Sequence, residues 1–366
     1  MSVNRVIFVV QHLGQPRCIK RILSIKEAGY DVLVYGFDRG IYSDNIKQLL
    51  EHDVQIRESV STKGLSRFRK FFAYVGMTMR AAREASKNDV IYAFGFELAT
   101  FTRFFTSSRY IYECADVVGA RLNSKLLLMF DRRTIRKAEF TVFTSEGFVD
   151  FFYGKEVASA RKTYVVQPNK LNGYFLEHRR PDSGPIDSDK IRFGFAGFFR
   201  YLNVYLSFSE IIGKYYPNYE LHFWGDGDES AKKKIRDMAD TYPNIYYHGV
   251  FTNPADLDRV YDTFDVCVLC YDIKSGNVKI AEPNKLYESI YYGKPVVVSK
   301  GTFLGEKVEK LGVGEAIDIG PEGIRSYLDN ISFSTLNEMI LNEKQIQTED
   351  LVYNAKELLA FLLYLR

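Results

Sequence analysis

The chain has 366 residues, 46% of them hydrophobic and 26% charged, and 26 Tyr and 28 Phe lift its aromatic share to 15%. This composition excludes a disordered or fibrous chain, and the length exceeds what one hydrophobic core usually supports, so two α/β domains are expected. The formal net charge of +3 hides an asymmetry, with 29 basic against 18 acidic residues up to residue 180 and 20 against 28 beyond it, which points the N-terminal half toward something anionic: nucleic acid, a phospholipid surface or a phosphate-bearing acceptor.

Residues 6–10 form a short β-branched run without the pattern of a signal peptide, and no window nears the roughly 18 uninterrupted apolar residues of a spanning helix. A cytoplasmic location is expected, with the option of resting peripherally on the inner membrane face. A loop over 11–16, a helix over 19–28 and a strand over 31–35 complete a βαβ unit. Apolar strands at 90–93, 110–112, 141–143 and 164–166 alternate with helical patterns at 66–86 and 124–138, which implies a doubly wound domain over 1–170. Within 65–87, Leu65, Phe68, Phe72, Val75, Met79 and Ala82 share one helical face flanked by Arg67, Arg69, Lys70, Arg80 and Arg83. Such a face either covers the sheet or contacts an anionic membrane.

Periodicity stops over 171–190, where Asn, Gly, Pro, Asp and Ser collect as in a linker. A second α/β series covers 191–348, with strands at 191–196, 221–224, 245–247, 266–269 and 295–298. A closing helix is expected over 349–366, its Leu351, Leu358, Leu359, Leu362 and Leu365 returning to a domain, and the N-terminal one is favoured. Cys267 and Cys270 lie on a buried strand that turns them to opposite faces, so their CxxC spacing is not read as a redox or zinc site.

Metalloprotease, nucleophile-elbow, Walker and kinase motifs are absent, and the first turn lacks the dinucleotide-binding glycines. The most informative stretch is AEPNKLYESIYYGKPVVVSK at 281–300. A loop feeds a short helix whose free N–H groups and Lys285 suit a pyrophosphate, while Glu288, one turn on, suits a ribose diol. After the first strand of the second domain, Gly194 and Gly197 precede Arg200, a second diphosphate contact in the crevice beyond the strand ends. Asp226 and Asp228 in WGDGD imitate a metal motif, but they are read as a turn and a helix N-cap, and no metal ligand is assigned.

Taken in order, GFFR at Gly197, LHFWGDG at Leu221, YYHGVF at Tyr246, DVCVLCY at Asp265 and PNKLYESIYYGKPVV at Pro283 resemble the family 4 glycosyltransferases of the GT-B fold. YECADV at Tyr112 and FTSEGF at Phe143 are similar to members that assemble polysaccharides. The resemblance implies two Rossmann-like doubly wound domains facing across a cleft. It implies transfer of a sugar from a UDP- or GDP-linked donor to a saccharide or lipid-linked saccharide acceptor, with no part for nucleic acid, with no separate cofactor and with retained anomeric configuration. In this reading Arg200 and Lys285 contact the diphosphate, Glu288 with neighbouring Leu286 the nucleoside, Gly14 the donor phosphates, and Gly249 with Val250 the base. Apart from the resemblance, Glu113 and Asp116, with His12 and Glu97, lie at or near strand ends of the first domain and are expected either to face the acceptor or to make structural hydrogen bonds at loop starts. The sequence departs from the family at Tyr201, Leu202 and Asn203, where a lysine is usual, and at Ile280, where a glutamate is usual, leaving Glu282 or Asn277 for the sugar. A nucleotide-sugar epimerase, a phosphorylase and a non-catalytic partner subunit are the rival readings.

Overall fold

Val6, Ile7, Phe8, Val9 and Val10 are all fully buried, as a parallel strand covered on both faces requires. The computed structural model describes residues 5–40, 43–154, 163–186 and 190–365. The chain divides into two units, one comprising residues up to Asn169 together with those from Asn354 onward, the other Lys170–Tyr353.

In the first unit, β1 (Arg5–Val10), β2 (Asp31–Asp38), β3 (Gln55–Ser61), β4 (Asp89–Phe94), β5 (Arg109–Cys114), β6 (Phe140–Phe143) and β7 (Tyr164–Val166) form one sheet in the order β3-β2-β1-β4-β5-β6-β7. Every pairing is parallel. β3 was not expected from the sequence. It is an edge strand of alternating intermediate and exposed residues, QIRESVS, too polar to stand out as an apolar run.

The second unit has β8 (Ile191–Phe198), β9 (Tyr219–Asp226), β10 (Ile245–Gly249), β11 (Val266–Leu269), β12 (Val296–Ser299) and β13 (Gly314–Ile317), in the parallel order β10-β9-β8-β11-β12-β13. Successive residues of β11 enter two core clusters, Val266 and Val268 one, Cys267 and Leu269 the other. Cys270 joins the first, so the two thiols lie on opposite faces, both buried and free.

The C-terminal stretch is two helices rather than one. Thr348–Leu351 ends where Val352 bridges to Leu171, and Lys356–Tyr364 starts after Asn354 Oδ1 accepts the Lys356 N–H at 3.3 Å. Leu351 is buried in the second unit, whereas Leu358, Leu362 and Leu365 enter the core of the first. The expected helix Arg67–Glu84 is N-capped by Ser66, but Met77, Thr78 and Ala81 form its buried stripe. Phe68 and Phe72 are exposed, so of the two readings of their face, covering the sheet is the one that does not hold for them.

Candidate functional site

In the second sheet the strand order reverses between β8 and β11, and open α/β sheets hold ligands beyond the carboxyl ends of strands at such a point. β8 leaves the sheet in a turn fixed by Phe199 N–H donating to Asp226 O at 2.8 Å and Arg200 N–H to Phe198 O at 2.8 Å. Arg200 is exposed, with its guanidinium 5.5 Å from the Phe198 ring centroid. No carboxylate among the described residues pairs with it. Gly225, next to last in β9, has φ +139°, and a Cβ there would stand 1.7 Å from Gly197 O, so β8 and β9 meet backbone to backbone.

A Cβ on Gly197 would lie 3.3 Å from Cε of Lys285, which places the lysine stem beside the β8 end. Lys285 Nζ then reaches Glu288 Oε2 at 2.7 Å and lies 5.3 Å from the Phe251 ring centroid. Glu288 is buried with both oxygens occupied. Oε1 accepts from Asn253 at 3.2 Å and Asn284 at 2.9 Å, and Oε2 from Tyr261 at 3.0 Å besides Lys285. Burial, and then the Glu288 charge, push the Tyr261 hydroxyl far above its ordinary pKa, so it remains a donor.

Leu286 is fully buried and anchors this helix, Lys285–Tyr291, in the core. The expected free N–H groups at its start are largely spent. Leu286 N–H donates to Pro283 O at 3.3 Å, and Tyr287 and Glu288 N–H to Asn284 O at 3.1 and 3.3 Å. Side-chain cations, rather than this short helix end, therefore carry the positive charge. Gly249 closes β10 and leads to Val250, 65% exposed, and then Phe251. This apolar ledge beside Lys285 suits the face of a planar base.

Asp228 N-caps the helix Glu229–Thr241 by accepting from Ala231 N–H at 2.8 Å. Asp226 Oδ1 accepts from Gly227 N–H at 2.8 Å and pairs with Lys232 at 3.2 Å. Glu282 is buried, paired with Lys307 at 2.7 Å and hydrogen-bonded by Tyr287. Asn277 heads a turn, its carbonyl accepting from Ala281 N–H at 3.0 Å.

No protein-family model matches the chain. The succinoglycan biosynthesis protein ExoL of Rhizobium meliloti (strain 1021) is 21% identical over 318 residues, covering 81% of this chain and 77% of ExoL. Anabaena HepE, solved in complex with UDP, is similar in structure with a TM-score of 0.66 at 14% identity, over 98% of this chain and 99% of HepE. Sucrose-phosphate synthase from Thermosynechococcus elongatus gives a TM-score of 0.66 at 13% identity, over 99% of this chain and 97% of the synthase. The chain has the GT-B fold.

In the first GT-B unit the expected acceptor residues have distinct settings. Glu113 on β5 is fully buried, its Oε1 3.1 Å from Arg17 and its Oε2 3.2 Å from Arg21, and Tyr92 donates to Oε2 at 2.6 Å. It holds the helix that follows Gly14 and is closed to solvent. The Gly14 carbonyl accepts from Asn45 at 2.8 Å, Asp116 pairs with Arg121, and Glu97 accepts from Gln11 at 2.6 Å. His12 is buried, which holds its pKa below the ordinary value, with Arg39 adding to the effect. Sequence reasoning missed Asp131. Burial pushes its carboxyl up to about 7, Asp116 and Glu97 adding to the rise, while Tyr112 donates to it at 2.9 Å. It also missed Asn253, Asn284 and Tyr261 around Glu288. Only Asn284, inside the PNK stretch, left a signal close to the site.

Proposed function

We propose that this protein is a glycosyltransferase that moves a sugar from a nucleoside diphosphate donor, UDP-linked by preference, to a hydroxyl of a saccharide or lipid-linked saccharide in polysaccharide assembly. The observation that carries the reading is the setting of Arg200, Lys285 and Glu288 around the β8 end, at the strand-order reversal of a GT-B chain. The printed name of ExoL supports polysaccharide assembly, and the UDP held by HepE supports the base.

In the reaction the bond from the anomeric carbon to the diphosphate oxygen breaks and a bond to the acceptor oxygen forms. The acceptor hydroxyl loses its proton, and the nucleoside diphosphate departs with the growing negative charge. Arg200 and Lys285 stabilise that charge, the kind of preorganised electrostatics that contributes most to rate. Glu288 orients Lys285, and its carboxylate meets the ribose diol when the diol displaces one of the donors that occupy it in the free chain. Val250 and Gly249 border the base, Leu286 fixes the helix that carries both charged groups, and Gly14 borders the phosphates. Asp116 orients the acceptor hydroxyl, while Glu113 holds Arg17 in place.

The transfer is metal-independent in this reading, because Asp226 and Asp228 already serve a turn and a helix cap. Retention of configuration follows the sequence resemblance. The protein works in the cytoplasm, and no helix of the described residues is long and apolar enough to cross a membrane. Incubation with UDP-glucose and saccharide or lipid-linked acceptors, with and without EDTA, tests the reading: acceptor-dependent UDP release that survives EDTA is expected. Interconversion of the donor sugar without UDP release would assign an epimerase, and loss of transfer in EDTA restored by Mg²⁺ would return Asp226 and Asp228 to a metal site.

A further inference from the structure

The helix Arg67–Glu84 begins against its own electrostatics. Arg69 and Lys70 follow the Ser66 cap, the first turn contains no acidic residue, and cations at a helix N-terminus oppose the peptide dipoles. Over 62–83 the chain has six basic residues and no acidic one. The same turns expose Phe68, Phe71 and Phe72 at 72%, 50% and 55%. Core packing does not account for them, because Met77 and Ala81 bury the opposite stretch of the helix.

These rings are part of a larger surface. Phe68 meets Phe72 at 4.8 Å between centroids, Phe72 meets Phe71 at 5.6 Å, and Phe71 meets Phe101 at 5.4 Å on the neighbouring helix Phe96–Phe105. That helix ends in Phe104 and Phe105, both exposed, with the Arg103 guanidinium 4.3 Å from the Phe104 centroid. Arg69, Lys70 and Arg103 have no ion-pair partner among the described residues.

The ring contacts run on from Phe101 to Phe105 at 6.4 Å, and an exposed aromatic patch of this extent, accompanied by unpaired cations, marks an interaction site whose chemistry selects the partner. Phenyl rings partition into the boundary between headgroups and acyl chains, while cations at the same level meet lipid phosphates. A second copy of the same patch would oppose like charges. We propose that the helices Arg67–Glu84 and Phe96–Phe105 dock the protein on the anionic surface of a lipid bilayer, with Phe68, Phe71, Phe72 and Phe104 inserted and Arg69, Lys70 and Arg103 on the phosphates. This surface stands independently of the glycosyl-transfer reading.

Co-sedimentation of the full chain with vesicles of phosphatidylglycerol and phosphatidylcholine in equal parts, and of phosphatidylcholine alone, tests the assignment. Binding to the anionic vesicles at low salt is expected, at least about tenfold tighter than to the neutral ones and weakened by salt. Arg69→Glu with Lys70→Glu, and separately Phe71→Ser with Phe72→Ser, each reduce it about tenfold or more. Because these side chains are outside the core, neither variant melts below the wild type, and the glutamates at the helix N-terminus favour the fold if they change it at all. Failure of the wild type to bind anionic vesicles at low salt, or unchanged binding by either variant, overturns the proposal. So does a wild-type dimer in sedimentation velocity that Phe71→Ser with Phe72→Ser converts to monomer, since the patch would then belong to a second copy.

Discussion

Lys285 Nζ stands 2.7 Å from Glu288 Oε2, and the two side chains are only 12% and 2% exposed. A buried ion pair adds modest net stability when intact, but losing one partner leaves the other charge stranded in a poorly solvating site. Under the proposed function, activity and stability are therefore coupled at Lys285 and separate at exposed Arg200.

Lys285→Met should destabilise the protein by about 2–4 kcal/mol, because Glu288 keeps the hydrogen bonds from Asn253, Asn284 and Tyr261 but loses the one from Lys285 together with its counter-charge. Arg200→Ala should shift stability by less than about 0.5 kcal/mol. Both should lose roughly tenfold or more in turnover. The double variant Lys285→Met with Glu288→Gln should recover stability without recovering activity. Urea melts set beside rates of UDP release check this, and wild-type turnover in Arg200→Ala would remove that residue from the site.

Gly225→Ala should cost more than about 2 kcal/mol, since its Cβ would meet the Gly197 carbonyl at 1.7 Å and neither backbone can yield without moving β8 or β9. Gly184, where an added Cβ meets nothing within 4 Å, provides the control. Its alanine variant should melt with the wild type. Equal melting of both variants would show that the β8 and β9 ends are not held as described.

Two buried titratable sites, one in each unit, should make contributions to stability that respond to pH with opposite sign. On β9 and β10, His222 Nδ1 and His248 Nε2 face each other at 2.9 Å, so one donates to the other and a proton on the acceptor would set two N–H groups face to face. Burial first, then His222 and Arg259, push His248 down to about 4, and burial lowers His222 despite the pull of Glu220. The unfolded chain, with histidine near pKa 6.5, binds more protons, so this stability is present at neutral pH and lost as pH falls from about 6.5 to 4. Asp131, pushed up to about 7, binds its proton more tightly when folded, so the stability it contributes is lost as pH rises from about 4 to 7. Melting temperatures against pH should show a smaller acid loss in His248→Gln, and stabilisation at pH 8 but not at pH 4 in Asp131→Asn. Profiles that track the wild type across the range would contradict both assignments.

The buried parallel strands were legible because strands covered on both faces read as apolar runs. β3 was not, because Arg57 and Glu58 interrupt its pattern at a sheet edge. The helix around Lys285 and the turn at Arg200 could be found because glycine, proline and charge punctuate their loops. The partners of Glu288 could not: Asn253 lies 35 residues away, and Tyr261, 27 residues away, reads as core until folding turns its hydroxyl onto the carboxylate. The phenylalanines of the helix after Ser66 were left between two readings, buried on the sheet or exposed, by the same limit. Helical spacing identifies a stripe, but the stripe that faces the sheet, Met77 with Ala81, is chosen by tertiary packing.

The central claim is that the strand ends of the second unit bind a nucleoside diphosphate through Arg200 and Lys285, and calorimetric titration with UDP of the wild type and of Arg200→Ala tests it most directly. The account predicts binding by the wild type and an affinity about tenfold or more lower in the variant, the worth of one charge-assisted contact. No binding of UDP by the wild type, or the same affinity in both proteins, would contradict it.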